Sequence, residues 1–326
     1  MQNCKTTVVI PNYNGIKYIR ACLDSLKNIQ EEGKFHTLVV DNGSKDGSLE
    51  IIEQDYPWVE LIPLSENTGF CHAVNVGIEA TKTEYVLLLN NDTIVKLGFV
   101  KNLESAMDGS ADVFSVNPMM LTLQDENIVD NAGIRYCVLG WAADRGKGKA
   151  SSGFEEKAEV FAACGGASLY RKSVFEQIGL FDENHFAYLE DVDIGYRARI
   201  FGYRNIYEPT AKVIHAGSGT SGSRYNEFKT RLSSANNAYV IGKNMPLLQL
   251  LINMPFLFGG FLVKTMFFCK KKMGKLYVQG YWKGIKRCFQ PEGKAHKVVY
   301  NRKHLRNYLR IQMILYIDTV RVFIKS

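Results

Sequence analysis

The chain has 326 residues, 46% of them hydrophobic and 22% charged, so it can bury a full core and hold one large domain with an appendage, which excludes a disordered or low-complexity class. Its formal charge of +7 hides a division: residues 1–242 carry 23 Lys and Arg against 31 Asp and Glu, a net of −8, whereas residues 243–326 carry 17 against 2, a net of +15. An acidic body joined to a basic, apolar tail points to an anionic partner for the tail, either nucleic acid or a membrane surface.

In chain order, Thr7-Val8-Val9-Ile10 is a β-branched run stopped by Pro11 and the polar Asn12-Tyr13-Asn14-Gly15. A strand this early leaves no room for a signal peptide, so the body is expected in the cytoplasm. Ile16, Ile19, Leu23 and Leu26 follow helical spacing. Leu38-Val39-Val40 predicts a second strand ending at Asp41-Asn42-Gly43-Ser44, and a helix with Leu49 and Ile52 follows. Val59 to Pro63 reads as a third strand, Phe70, Val74 and Ile78 as a helix, and Tyr85 to Leu89 as a buried strand ending at Asn90-Asn91-Asp92. Strands alternating with helices, their apolar runs continuous, predict an α/β fold with a mostly parallel sheet covered by helices on both faces. In such sheets the ligand crevice lies at the carboxyl ends of the strands. The polar clusters at Asn12–Asn14, Asp41–Ser44 and Asn90–Thr93 are therefore expected to converge.

The segment 120–160 is polar and glycine-containing, and no element is assigned to it. Ala162 to Tyr170 reads as a strand through Cys164-Gly165-Gly166, whose glycines let a ligand or another backbone approach closely. Asn205 to His215 reads as two short strands broken at Pro209. The stretch 246–269 is largely apolar and about as long as a membrane span, though Gln249, Asn253, Pro255 and Lys264 interrupt it. Lys270-Lys271-Lys272 follows, and basic residues then interleave with aromatic and leucine side chains, a pattern of interfacial helices. The seven cysteines are scattered without Cys-x-x-Cys spacing, which excludes a zinc or thioredoxin-type signature and fits a reducing compartment.

The site chemistry starts from what is missing. Neither a Gly-x-Gly-x-x-Gly turn nor a Walker loop follows the first strand, so a nucleotide would not be cradled in those ways. Asp41 can accept hydrogen bonds from a base or ribose, or simply cap an Asp-Asn-Gly-Ser turn. Asp92, delivered by a buried strand, can hold Mg²⁺ or Mn²⁺, which favour one or two carboxylates plus phosphate oxygens, or can be a turn or N-cap residue. His215 closes a later strand as a second metal ligand or a structural histidine. Between them lies Tyr188-Leu189-Glu190-Asp191-Val192-Asp193, followed by Tyr196 and Arg197. Apolar groups at helical spacing would aim neighbouring carboxylates at a fixed place, as a general base requires. The alternative is a solvated helix face on which Glu190 and Asp193 pair with Arg197.

Taken in order, Val9-Ile10-Pro11-Asn12-Tyr13-Asn14-Gly15, Val40 to Ser48, Asn67-Thr68-Gly69-Phe70, Leu88 to Thr93 and Glu190-Asp191-Val192-Asp193 resemble family 2 glycosyltransferases of the GT-A fold, nearest the bacterial rhamnosyltransferase-like branch, over roughly residues 5–240. The resemblance implies inverting transfer from a nucleotide diphosphate sugar, with dTDP-rhamnose a candidate, to a hydroxyl of a lipid-linked or growing surface glycan. It implies that Asp191 is the general base. It places Pro11, Tyr13, Asn14, Asp41, Asn42, Asn67, Gly69, Asn90 and Asn91 on the donor side, and Gly165, Gly166 and Glu190 on the acceptor side; His72, where much of the branch has a small residue, is a departure expected to touch the donor's phosphate or sugar. Asp92 matches the last aspartate of the family's Asp-x-Asp motif, Asn90 replacing the first, and His215 a position that completes the shell of a divalent metal, Mg²⁺ or Mn²⁺. Of Glu190 and Asp193, one is expected to contact the acceptor and the other to position the helix through Arg197 or Arg199.

The organisation expected is a GT-A catalytic domain at 1–242 and a basic, apolar, helical membrane-associating tail at 243–326. The enzyme would sit at the cytoplasmic face of the cell membrane, peripherally or with one inserted segment. A rival reading is a non-catalytic glycan- or nucleotide-sugar-binding partner that keeps the fold, against which the intact Asp92 and Asp191 argue. A nucleic-acid binder is disfavoured, because an electrostatic arm does not need an apolar run such as Phe256 to Val263.

Overall fold

The computed structural model describes residues 4–30, 34–217 and 225–324. The first half alternates as its periodicity requires: β1 (Thr6–Asn12), α1 (Ile19–Ile29), β2 (Phe35–Asp41), α2 (Ser48–Asp55), β3 (Glu60–Pro63), α3 (Phe70–Ala80), β4 (Tyr85–Leu89), β5 (Thr93–Val95) and α4 (Phe99–Asp108). Then come β6 (Val113–Thr122), β7 (Val129–Asn131), β8 (Ile134–Tyr136), β9 (Ala142–Asp144), β10 (Ala158–Val160), β11 (Ala167–Arg171), α5 (Lys172–Ile178), α6 (Glu190–Ile200) and β12 (Arg204–His215). Five helices close the chain: α7 (Glu227–Asn244), α8 (Leu247–Lys270), α9 (Gly274–Arg287), α10 (Pro291–Ala295) and α11 (Leu305–Ile324).

The main sheet runs β10-β12-β6-β11-β4-β1-β2-β3. β3, β2, β1 and β4 are parallel to one another, β12 is parallel to β6, and β11 joins the two blocks by pairing antiparallel with both β4 and β6. The result is the expected α/β fold with a mixed sheet. Separate apolar clusters fill its two faces: Ile19, Leu23, Phe99 and Leu103 on one side, and Val74, Ile78, Phe175 and Ile194 on the other. Burial on both faces is why the strands read as continuous apolar runs.

Three local expectations change. Cys164-Gly165-Gly166 is a turn before β11 rather than part of the strand, closed by the Ala167 N–H donating to the Cys164 carbonyl at 3.3 Å. Residues 204–215 form one strand, not two. Proline cannot donate to a ladder, and a register shift between Glu208 and Lys212 opposite β6 takes up Pro209 without ending the strand. The unassigned segment holds four short pieces, β7 to β10, each of three residues. Strands that short carry too few alternations to show in a sequence.

The C-terminal helices are packed onto the body. The 242/243 division in charge falls inside α7. Gly280 and Gly284 of α9 face Ser234 and Ala235 of α7, and a Cβ on either glycine would collide there. Tyr308, Ile311 and Leu315 of α11 share a cluster with Tyr136, Phe161, Val192 and Tyr196. Helix α6 is thereby walled in, and Asp193, fully buried, lies among charges. Arg197 Nη2 is 2.9 Å from its carboxylate, Lys243 Nζ 2.8 Å, and the Asn244 amide donates to it at 2.8 Å. Lys243 also reaches Asp182 at 2.7 Å. Burial alone would raise both carboxyl groups, but Lys243, joined by Arg197 at Asp193, outweighs it. Asp182 is held at about 2 and Asp193 far below the usual range. Because these values lie below those of the unfolded chain, the stabilisation is present above pH ~4 and is lost as pH falls through the depressed values.

The loop entering α6 is strained. Phe186, Tyr188 and Leu189 hold φ of 60°, 71° and 66°, left-handed values that cost a non-glycine residue roughly 1–3 kcal/mol each. Asn236 of α7 holds them there: its amide donates to the carbonyls of His185, Ala187 and Tyr188, each at 2.9 Å. Arg287 of α9 donates to the Asn184 carbonyl at 2.6 Å and to Asn236 Oδ1 at 3.2 Å. Lys243→Met is expected to cost ~3–5 kcal/mol in urea melts, because it leaves two buried carboxylates without their shared cation. Asn236→Ala, which leaves carbonyls unpaired, should cost ~1–3 kcal/mol. A Lys243→Met protein as stable as the parent would show that the cluster is not what fixes α6.

Candidate active site

The polar strand ends do converge, and Asn12 is their hub. Its amide donates to Asp41 Oδ1 at 2.7 Å and to Ser48 Oγ at 2.9 Å, while its Oδ1 accepts from the Asn91 amide at 2.7 Å. This ties the ends of β1 and β2 to the loop after β4. Asp41 also caps its own turn, with the Ser44 N–H donating to Oδ2 at 2.9 Å. Both readings of Asp41 are therefore compatible: each oxygen makes one hydrogen bond to the protein and keeps a lone pair.

The other residues expected on the donor side lie near this network. Asn42 brackets the 67–69 loop, donating to Asn67 Oδ1 and the Gly69 carbonyl, both at 3.1 Å. Gly69 (φ 92°) lies against the Phe186 ring, where a Cβ would fall 2.5 Å from the nearest ring atom. Asn14 accepts from the Lys45 N–H at 2.9 Å. Pro11 and Tyr13 are half-buried beside them. His72 is in the first turn of α3, its Nδ1 3.0 Å from Glu183 Oε2; that carboxylate is its partner here.

Asp92 and His215 are neighbours because β5 and β12 pair with His215 opposite Thr93. His215 Nε2 is 3.3 Å from Asp92 Oδ1, and its Nδ1 is 2.7 Å from Asp130 Oδ2. Burial opposes a charge on the imidazole, but the hydrogen bonds to Asp130 and Asp92 outweigh it and push His215 up to about 9. The site thus attracts positive charge. A carboxylate and an imidazole oriented by a second carboxylate fit a divalent ion such as Mg²⁺ or Mn²⁺. Asp130 escapes sequence reading because it sits in β7, inside the segment that showed no periodicity.

A second set of possible ligand atoms, on Asp182, His185 and Asp193, lies within 4.8 Å of one another. Lys243 already stands 2.7 and 2.8 Å from its two carboxylates and supplies their counter-charge. His185 is kept neutral by burial, at about 4. With its counter-charge already in place, this cluster differs from the expected metal position at Asp92 and His215.

The Gly165-Gly166 turn links this strand end to the acid pair. The Asn90 N–H donates to the Gly166 carbonyl at 2.8 Å, and the Gly165 N–H points at Asp191 Oδ2 at 3.4 Å. A Cβ on Gly165 would stand 3.3 Å from Glu190 Oε1, and one on Gly166 would stand 3.2 Å from the Asn90 amide nitrogen. Both glycines keep this approach open.

Glu190 and Asp191 begin α6, where the helix dipole favours negative charge. Asp191 Oδ1 also accepts from the Val192 N–H at 2.8 Å. Glu190 is buried, and its Oε2 has no hydrogen-bond partner among the described residues. Burial pushes both carboxyl groups above the usual range, Glu190 further because the charge on Asp191 adds to it. The pair therefore holds one proton into the neutral range, and Asp191, with its backbone donors, ionises first. A buried acid facing an ionised carboxylate is suited to proton transfer. Asp193, by contrast, is neither solvated nor in the site. It positions the helix through Arg197, as one of the two expected roles required, while Arg199 turns away to Glu159 at 2.8 Å.

Comparison with known proteins identifies the fold and the family. The N-acetylglucosaminyl-diphospho-decaprenol L-rhamnosyltransferase of Mycobacterium tuberculosis is 29% identical over 238 residues, covering 66% of this chain and 77% of the relative. A mannosyltransferase from Pyrobaculum calidifontis, solved with GDP-Man and Mn²⁺, superposes with a TM-score of 0.56 at 14% identity, covering 100% of this chain and 89% of that one. GalNAc-T7, solved with UDP, GalNAc and Mn²⁺, gives 0.60 at 14% identity over 74% of this chain, which spans only 48% of that protein. At such identities the two structures speak for the fold alone. The family model Glycosyl transferase family 2 matches residues 7–179, more than half of the sequence, and the chain belongs to that family as a glycosyltransferase.

Proposed function

We propose that the protein is an inverting glycosyltransferase that moves a sugar from a nucleotide diphosphate donor to a hydroxyl of a lipid-linked or growing surface glycan. The observation that carries this reading is the buried Glu190–Asp191 pair at the start of α6, joined through the Gly165-Gly166 turn to the strand end that bears Asn90 and Asp92. Ionised Asp191 takes the proton of the acceptor hydroxyl as its oxygen attacks the anomeric carbon, and a single displacement inverts that centre. Glu190, still protonated, and the open edge of Gly165 and Gly166 receive the acceptor. Pro11, Tyr13, Asn14, Asp41, Asn42, Asn67, Gly69, His72, Asn90 and Asn91 form the donor side. Asp92 and His215 would hold a divalent cation, whose charge would neutralise the departing nucleoside diphosphate. Similarity to the rhamnosyltransferase makes dTDP-rhamnose the first donor to test.

In this reading residues 1–242 carry the chemistry and residues 243–326 the attachment to the cytoplasmic face of the membrane. That division is one of function, since the fold runs through it. The decaprenol in the relative's name and the +15 tail support a lipid-linked acceptor near an anionic surface.

Asp191→Asn keeps the shape and removes the base, so transfer should fall by at least ~10²-fold with donor affinity nearly unchanged. Glu190→Gln mimics the protonated acid and should retain the acid limb of the pH–rate profile, which lies above the ordinary carboxylate range and falls as Asp191 takes up a proton. If Asp191→Asn turns over like the parent while Glu190→Gln is inactive, the two roles are exchanged.

Asp92→Ala should abolish metal-stimulated binding of the nucleoside diphosphate, measured by calorimetry with and without Mn²⁺. Asp130→Asn, by loosening the orientation of His215, should weaken the metal dependence about 10–100-fold. An unaltered metal titration in both variants would return the Asp92–His215–Asp130 array to a structural role.

A further inference from the structure

Among the described residues, one helix, α8, is long and apolar enough to cross a membrane. Its surroundings argue for a different placement. Gln249, Asn253, Leu257, Gly260, Lys264 and Phe268 of α8 meet the body along one stripe at helical spacing, with Leu250, Phe256, Phe261 and Phe267 making further contacts beside it. Its polar side chains lie on or beside that stripe. Gln249 Oε1 accepts from the Tyr196 hydroxyl at 2.8 Å, and its amide donates to Gln312 Oε1 at 3.0 Å. Asn253, fully buried, exchanges hydrogen bonds with the same Gln312 at 3.0 and 2.6 Å. Lys264 stands 5.5 Å from the Trp141 ring centroid, and the Thr265 hydroxyl donates to the Phe261 carbonyl at 2.8 Å. A Cβ on Gly260 would collide with the Leu139 carbonyl, so the backbone of α8 rests on the turn between β8 and β9.

The outward face is the reverse of a soluble helix. Leu248, Leu251, Phe258, Leu262 and Met266 are exposed. Beside α8 runs α11, joined to it through Gln312 and through the Phe256 and Tyr316 rings, whose centroids are 6.0 Å apart. It too turns apolar groups outward, at Leu309, Met313, Ile317, Val320 and Phe323, while Tyr308, Ile311, Leu315 and Asp318 are buried beneath. Two helices of 24 and 20 residues, ~36 and ~30 Å long, thus present apolar faces to the surroundings.

We infer that α8 and α11 together form a platform that lies in the plane of an anionic phospholipid leaflet, with α8 embedded along its length and not crossing the bilayer. This rests on the membrane reading above and sharpens it. For α8 to cross, the elements held against its full length would have to enter the hydrocarbon with it. These include the β8–β9 hairpin with Arg135 and Asp144, and α11 with Asp318. Open strand edges do not survive there, and ionisable groups such as these, even with their partners Lys147 and Arg321, are costly in hydrocarbon. An in-plane helix needs only one apolar face and basic flanks. Lys270, Lys271, Lys272 and Lys275 stand at the end of α8, and Arg306, Arg310 and Arg321 are exposed along α11. Residues 243–326 hold only two acidic residues. The same charge disfavours a second copy as the occupant, since +15 would face +15.

The test uses the full chain with Cys269, its exposed thiol, changed to serine, and a nitroxide placed at Leu248→Cys, Phe258→Cys or Met266→Cys. Each labelled protein is first checked for the melting temperature and Asp191-dependent transfer of the parent. It is then added to preformed phosphatidylglycerol–phosphatidylcholine vesicles, and label depth is read from collision with oxygen against a water-soluble nickel chelate. Expected are sedimentation with the vesicles and like depths for all three labels, near ~5–10 Å below the headgroups. A Phe258 label at the bilayer centre, with the other two near opposite surfaces, would overturn the in-plane placement and leave the membrane reading standing. Absence of sedimentation would defeat both. Labels shielded in a lipid-free dimer, and unchanged on adding vesicles, would give the face to a second copy and overturn the proposal.

Discussion

The placement of the acid pair at the head of α6 depends on a charge that should not be where it is. Asp193 is fully buried, and an isolated carboxylate in that position would be prohibitive. Arg197, Lys243 and Asn244 make it tolerable, the first from one turn further along α6 and the other two from the last turn of α7. Arg197 then continues to the carbonyls of Gly179 and Leu180 at 2.9 and 2.8 Å, and Lys243 to Asp182. One buried acid therefore fixes α6 against α7 and against the loop after α5. Such a cluster need not add net stability over an apolar core. What it supplies is placement, because only one arrangement satisfies all of its members.

That placement is used two residues earlier. Glu190 and Asp191 lead α6 after three left-handed residues that no local preference would choose. The strain is held by Asn236 and Arg287 from the C-terminal helices, so the orientation of the acid pair is set by chain far away in sequence. The acidity of the pair follows from the same burial. A carboxyl group free in solution would ionise well below neutrality, whereas here removal from water keeps one proton on the pair. Packing that looks merely structural thus determines which acid of the pair is charged.

The parts legible in the sequence were those whose physics is local. Thr7–Ile10 and Tyr85–Leu89 announce buried strands because both of their faces are covered, and β1 and β4 stand adjacent in the sheet. Asn12, Asp41 and Asn91 belong to polar strand ends, and they meet in one hydrogen-bonded network. Asp92 and His215, which the motifs placed together, are adjacent because β5 and β12 pair. What was hidden depends on distant partners. Asp130 lies in a three-residue strand with no periodicity, and nothing near it in sequence reveals His215. Asn236 reads as an ordinary polar residue in a helix, since its role exists only once the 185–188 carbonyls have turned toward it. Asp193 looked solvated because Lys243 is fifty positions away and belongs, by composition, to the tail.

The charge division of the sequence is real, but the fold does not respect it. Composition separates an acidic body from a basic tail at residue 242, yet α7 runs straight through that point and delivers Lys243 and Asn244 into the interior. The basic segment consequently does two kinds of work with two faces. Inward, its α7, α9 and α11 side chains satisfy the buried acid, the strained loop and the apolar cluster around Tyr196. Outward, α8 and α11 carry the apolar surface that water does not favour. Whatever covers that outer face lies one helix layer from α6, because Gln249 touches Tyr196 directly. The outward apolar face and the helix that carries the acids are thus joined by the Gln249–Tyr196 hydrogen bond, by a second from Asn307 of α11 to the Ile200 carbonyl, and by the packing around them.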